Sequence, residues 1–184
     1  GMAVAVSTSC VGALAGLRLP IESHVLQAFV TEGIKPMLHN VITFGAGHFY
    51  ISQSDKGGLV FGASLDGYNT YAQRGNLPLI EHVMEAGVSF VPAMSKVRLL
   101  RSWGGVMDMS PDGSPIIDKT PIDGLYLNAG WCYGGFKATP GSGWCFSHLI
   151  ADRPTHHIEQ MRLDRLKTGY VIDELGAGAQ HNLH

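Results

Sequence analysis

Apolar and polar positions along the chain separate two strand-rich stretches around one amphipathic helix, and they end in a strand, a glycine-rich turn and a second helix. Met2 to Val6 is a short apolar run that suits a buried strand, and the small residues of Val11 to Leu17 suit a short helix. Ile21 to Thr31 is rich in β-branched and apolar residues, and Val41 to Phe44, Phe49 to Ser52 and Leu59 to Ala63 repeat that character. Asp55, Lys56, Gly57 and Gly58 form a hairpin signal between the last two. Strands this short and this close predict an antiparallel sheet, because parallel pairing needs longer crossovers.

The pattern then becomes helical. Asn76 can cap a helix with Pro78 in its first turn; Ile80, Val83, Met84 and Val91 recur on one face, Glu81 and Glu85 on another, and Pro92 ends it. Val97 to Trp103 reads as a strand that puts Arg98 and Arg101 on opposite faces and Trp103 in the core. The turn formers of Ser110 to Pro115 shape a loop, with Asp112 bonding its own following backbone. Leu125 to Ala129 returns as a strand, and a helix follows over Thr139 to Ile150. The predicted fold is α+β, a mainly antiparallel sheet with helices packed on one face.

Composition narrows the function. The 184 residues carry a formal net charge of −2 and no run of like charge, which predicts no nucleic-acid partner and no anionic membrane. Three cysteines without C-x-x-C spacing give neither a disulfide framework nor a zinc knuckle and fit the reducing cytoplasm. No apolar run of about 18 residues spans a bilayer, no signal-peptide pattern opens the chain, and Gly1 ahead of Met2 reads as a remnant of expression. His24, His39 and His48 stand singly among apolar residues, and adjacent His156 and His157 read as solvated; no metal site is predicted.

The candidate chemistry sits in Gly130 to Gly143, GWCYGGFKATPGSG. Its glycines let main-chain N–H groups approach a flat or anionic ligand, and Lys137 is its one full charge. Glycines between a strand and a helix also serve close packing of the helix on the sheet, and spacing alone leaves both readings open. Lys137 favours the ligand reading. His48 and Tyr50, on alternate strand positions, point to one sheet face and form a second, weaker pair.

This glycine-rich stretch, with RSWGGVMDMSPDGSPIID at Arg101 to Asp118, LYLNAG at Leu125 to Gly130 and the ending LDRLKTGYVIDELGAGAQHNLH, resembles the C-terminal half of the glycine and D-amino-acid oxidase family of flavoenzymes. Within it the likeness is to beta subunits of heterotetrameric sarcosine oxidases. The chain carries no G-x-G-x-x-G in a strand-turn-helix unit, the fingerprint by which such proteins cradle a dinucleotide pyrophosphate. The resemblance therefore implies four segments: 1–18 as the end of a truncated FAD-binding domain, 19–104 as the antiparallel substrate-domain sheet and helix, 105–151 as the flavin-contacting segment, and 152–184 as a C-terminal tail.

The resemblance further implies FAD as cofactor and oxidation of sarcosine or a similar secondary amino acid by hydride transfer from the N-methyl carbon, with electrons passing on to oxygen. It assigns Gly130, Gly134, Gly135, Phe136, Thr139 and Arg101 to the flavin, Lys137 to the substrate carboxylate or to charge beside the flavin, and Trp131, Tyr133, His48 and Tyr50 to the substrate pocket. Other sarcosine oxidase subunits, or a separate N-terminal half, are the implied partners. Without that half the chain is expected to be inactive and to self-associate into a homo-oligomer. The competing expectation is a non-enzymatic assembly module that keeps the fold.

Overall fold

The computed structural model of the chain describes residues 1–44, 49–153 and 155–172. The chain divides into two compact units, one of residues 24–106 and the other of residues 1–23 and 107–184. The fold is α+β.

The unit of residues 24–106 is built on a five-stranded sheet. Its strands are Glu22–Gly33 (β1), Ile42–Phe44 (β2), Phe49–Gln53 (β3), Gly58–Leu65 (β4) and Leu99–Met109 (β5), in the order β2-β3-β4-β1-β5. The β2–β3, β3–β4 and β4–β1 pairs are antiparallel. The predicted hairpin joins β3 to β4: Gly57 takes φ +85, and Ser54 N donates to Gly58 O at 2.9 Å. Only glycine enters that conformation without a steric penalty.

Helix Leu77–Phe90 (α2) is capped by Asn76, whose Oδ1 accepts from Leu79 N at 2.8 Å, with Pro78 in the first turn. It lays Leu79 and Val83 on a core of Phe29, Phe49, Ile51, Leu59 and Phe61, where the Phe29 and Phe61 rings stack at 5.5 Å. Phe49 and Ile51 face this core, so Tyr50 between them faces the other way.

Two expectations fail here, for Trp103 and Arg98. Trp103 is 48% exposed, together with Leu99 and Leu100, because β5 is an edge strand and nothing within this unit covers that end of it. Arg98 precedes β5 instead of alternating with Arg101 along it; its guanidinium pairs with Glu32 at 2.9 Å on the exposed edge. His24 is buried, its Nδ1 at 2.8 Å from Asp66 O.

The second unit contains helix Thr8–Leu14 (α1), the hairpin of Ile116–Lys119 (β6) and Tyr126–Ala129 (β7), and helix Gly135–Ile150 (α3). The predicted strand over Met2 to Val6 reduces to one bridge. Met2 N donates to Tyr126 O at 2.7 Å and Asn128 N to Met2 O at 3.0 Å, after which the chain turns through Ala5 at φ +47. The first helix starts at Thr8, earlier than its small-residue pattern suggests, and Gly16 at φ +73 follows its end.

This unit is tied together by a buried ion pair. Arg165 Nε and Nη2 donate to the two oxygens of Asp112 at 3.0 and 2.9 Å, and the two side chains are 3% and 1% exposed. Nη2 also donates to Ser114 O, Nη1 to Arg162 O, and Ile172 N to Asp112 Oδ2. Burial works to raise the Asp112 pKa, but the Arg165 bonds, the Ile172 amide and the guanidinium charge outweigh it and leave the carboxyl below its ordinary value.

Breaking one side of such a pair leaves a buried charge alone. Arg165→Met is expected to cost about 3–5 kcal/mol in urea unfolding, and Asp112→Leu added to it to recover most of the loss. The stability this carboxylate contributes is present above the ordinary aspartate range and drains away as pH falls through its depressed pKa. Loss of that acid-side slope in Arg165→Met checks the assignment.

Candidate functional site

The glycine-rich stretch begins where β7 ends. Gly130 is buried at φ +68, and Cys132 holds φ +48, which is uncommon for a side-chain-bearing residue. Two backbone bonds fix the turn, Cys132 N to Asp108 O at 3.0 Å and Gly134 N to Trp131 O at 2.8 Å. The Trp131 indole donates to Asn128 Oδ1 at 2.6 Å and stays half-buried.

The helix starts at Gly135, four residues before the sequence pattern places it, so the turn is only 130–134. Gly134 caps it without a side-chain bond. The amides of Gly135, Phe136 and Lys137 therefore form the helix N-terminus, where no intrahelical acceptor exists for them. Ala138 N is the first to bond back, to Gly134 O at 3.2 Å.

Pro140 lies inside this helix and cannot donate to Phe136 O. The Thr139 hydroxyl takes its place, sitting 2.9 Å from Phe136 O and 3.1 Å from Gly135 O. Thr139 thus maintains the first turn whatever else it touches. Lys137 is exposed, and its Cε lies 3.7 Å from the point where a Cβ on Gly134 would stand, so the side chain folds back over the turn. Phe136 is 97% exposed. Tyr133 is 45% exposed, but removal of its phenol from water, with a smaller push from the Cys132 thiol, raises its pKa to about 12. It remains a neutral hydrogen-bond donor across the physiological range.

These residues, Gly130, Trp131, Tyr133, Gly134, Gly135, Phe136, Lys137 and Thr139, come together in one unit. Arg101 and Tyr50 belong to the other. Arg101 is exposed on β5, and Tyr50 lies across from Gly62, whose missing Cβ would stand 2.7 Å from the ring; burial raises the tyrosine's pKa. His48 lies outside the described residues.

Pattern reading missed Asp108. It closes β5 directly behind the turn, is 7% exposed, and its Oδ2 is in hydrogen-bond contact with the Thr8 hydroxyl, while Oδ1 is buried without a partner. Removal from water, the dominant cause, raises its pKa to about 6. The available signal was a lone acid between Met107 and Met109 in a run with no neighbouring charge.

As chemistry, the turn offers three outward amides, a positive helix end and one lysine, a donor set suited to anionic or electron-rich planar groups. No group of acids, histidines and cysteines among the described residues could hold a metal ion. No helix among them is long and apolar enough to cross a membrane.

Residues 3–149 match the family described as FAD dependent oxidoreductase, and the chain belongs to that family. Within it, the chain is 68% identical over its whole length to the sarcosine oxidase subunit beta of Rhizobium meliloti (strain 1021), covering 44% of that protein. It is 46% identical over 97% of its length to the sarcosine oxidase subunit beta of Rhodobacter capsulatus, covering 43% of that one. Among solved structures, L-proline dehydrogenase from P. horikoshii superposes with a TM-score of 0.79 at 28% identity, over 92% of this chain and 47% of that one. The chain thus spans less than half the length of each of these relatives. FAD is the cofactor named in the family's own description, and the donor set of the turn fits the carbonyl-bearing edge of a flavin ring, where negative charge gathers on reduction.

A buried acid whose folded pKa lies above its unfolded value stabilises the fold most at low pH. As pH rises from about 4 to beyond about 6, the Asp108 contribution declines by roughly 2–3 kcal/mol. Asp108→Asn is expected to flatten that decline in thermal unfolding measured between pH 4 and 8.

Proposed function

We propose that this chain is the flavin-side and substrate-side portion of an FAD-dependent amine oxidase acting on sarcosine or a similar secondary amino acid. The observation that carries the reading is Lys137 lying against Gly134 at a glycine-lined helix start whose first three amides have no intrahelical acceptor. The high identity to sarcosine oxidase beta subunits supports the choice of substrate.

Bound flavin supplies the two-electron acceptor. The residues of this chain bind and orient. Gly130, Gly134 and Gly135 let the backbone approach the ring, and the amides of the first α3 turn stabilise negative charge gathering on it. Lys137 holds the substrate carboxylate or adds a positive charge beside the ring. Trp131, Tyr133 and Phe136 offer aromatic faces to a methylammonium group, and Arg101, Tyr50 and His48 are assigned to the flavin and substrate sides. Thr139 acts by keeping the helix start closed.

In this reading segments 1–18 and 105–151 serve the flavin, 19–104 serves the substrate and 152–184 is a tail. Turnover requires the dinucleotide-binding part, which this sequence does not contain. Companion subunits are its partners, as the names of the relatives suggest, and the cysteine pattern fits the cytoplasm. Isolated, the chain self-associates through apolar groups such as Phe136, Trp144 and Ile150 of α3, which are 97%, 49% and 47% exposed.

The test is Lys137→Met in the whole flavoprotein. Loss of a charge-assisted carboxylate contact is expected to weaken sarcosine binding roughly tenfold to a hundredfold, while FAD content stays the same. Unchanged sarcosine binding and turnover would remove Lys137 from the mechanism.

A further inference from the structure

Two of the three non-glycine residues at positive φ among the described residues, Ala5 and Cys132, are tied to one buried residue, Asp108, the first to its carboxyl through Thr8 and the second to its backbone carbonyl. Cys132 N donates to Asp108 O, and Thr8 Oγ1 bridges Ala5 O, at 2.6 Å, to Asp108 Oδ2. Backbone held in sparsely populated conformations concentrates where a protein positions function. This cluster stands directly behind the turn that leads into α3.

The protons of the cluster can be counted. Thr8 has one hydroxyl proton, and Ala5 O can only accept. Once Thr8 donates to Ala5 O, the contact between Thr8 Oγ1 and Asp108 Oδ2 needs a proton from the aspartate. A neutral carboxyl also explains Oδ1, which is buried without a donor and would be costly to leave as part of a charge.

Among the described residues no cation is bonded to that carboxyl. The elements bonded to Asp108, α1 through Thr8 and the turn 130–134 through Cys132 N, bring Cys10, Cys132 and Tyr133 as their titratable groups. Cys10 is exposed, and the Cys132 thiol lies 3.4 Å from Ser110 N.

We propose that Asp108 is held as a neutral carboxylic acid that donates to Thr8 Oγ1 and so acts as a positioning residue: it fixes the turn 130–134 and the first amides of α3, and its ionisation releases them. The role of that turn in electron transfer rests on the flavin reading above; the latch itself does not. Ionisation puts a negative charge on Oδ2 opposite an oxygen whose proton is committed to Ala5 O. Either Thr8 turns away and frees Ala5, or Asp108 draws back and carries with it the backbone O that accepts from Cys132 N.

Carbon-13 carboxyl shifts and backbone amide shifts of the 184-residue chain, followed from pH 4 to 8, test this. The Asp108 carboxyl is expected to titrate near pH 6, with the amides of Cys132, Gly134 and Gly135 moving at the same midpoint. Asp108→Asn is expected to hold those amides at their low-pH positions throughout. Thr8→Val gives a sign that a purely structural role would not. Removing the acceptor of the acid's proton lowers the Asp108 midpoint, whereas removing a donor to a carboxylate raises it.

A midpoint below about pH 4.5, fixed amides, or an upward shift in Thr8→Val would overturn the proposal. No flavin enters the titration, so coupled amides in a chain that fails to bind FAD would leave the latch in place and remove the flavin reading. Fixed amides in a chain that binds FAD would do the reverse.

Discussion

The Asp112–Arg165 pair is the interaction on which the unit carrying the glycine-rich turn depends. Its two side chains are almost fully removed from water, a state that is tolerable only because each charge meets the other and the remaining valences meet backbone. The consequence is mechanical. The loop after β5 is locked to residues 162–172, so the end of β5 is fixed, and from that end Asp108 O and Ser110 N reach the Cys132 turn. An unsupported turn of five residues would sample many backbone states; this one holds a left-handed Cys132.

The helix start is shaped by a second constraint. A proline within the first two turns of α3 leaves a carbonyl without its usual donor, and the neighbouring threonine covers it. With Gly134 as a cap that brings no side-chain acceptor, the first three amides stay directed outward. The sequence GGFKATP thus produces a helix terminus that is structurally closed on its carbonyl side and chemically open on its amide side. Such an end stabilises electron-rich groups by fixed dipoles that need no reorganisation.

Much of the architecture was legible in the residues. Alternation and turn chemistry located β1 to β4 and the Gly57 hairpin, and Asn76 with Pro78 located α2, because these signals are local. What failed was set by contacts distant in sequence. Trp103 looked like core because a large ring in a strand usually is, but β5 is an edge. The start of α3 was placed at Thr139 because glycines and Pro140 argue against helix, and the Thr139 hydroxyl compensates. Arg165 stands in the sequence among Arg162, Asp164 and Lys167, and nothing local reveals that Asp112, 53 residues away, meets it. Asp108 offered only its isolation between two methionines, because the contacts that hold it, from Thr8 and Cys132, are distant in sequence. At the site, the glycines and Lys137 were legible as composition, whereas the support beneath them was not.

The central claim is that the turn 130–134 and the start of α3 form a flavin-facing surface. The most direct measurement is a titration of this chain with FAD, followed by the visible spectrum of the flavin, because the Trp144 ring lies tilted 4.0 Å from the His148 ring and its emission responds to that ring as well. The account predicts saturable binding in the micromolar range with a perturbed flavin spectrum, weakened by Gly134→Val at the helix cap. A well-folded chain that leaves the flavin spectrum unchanged at millimolar FAD would contradict it.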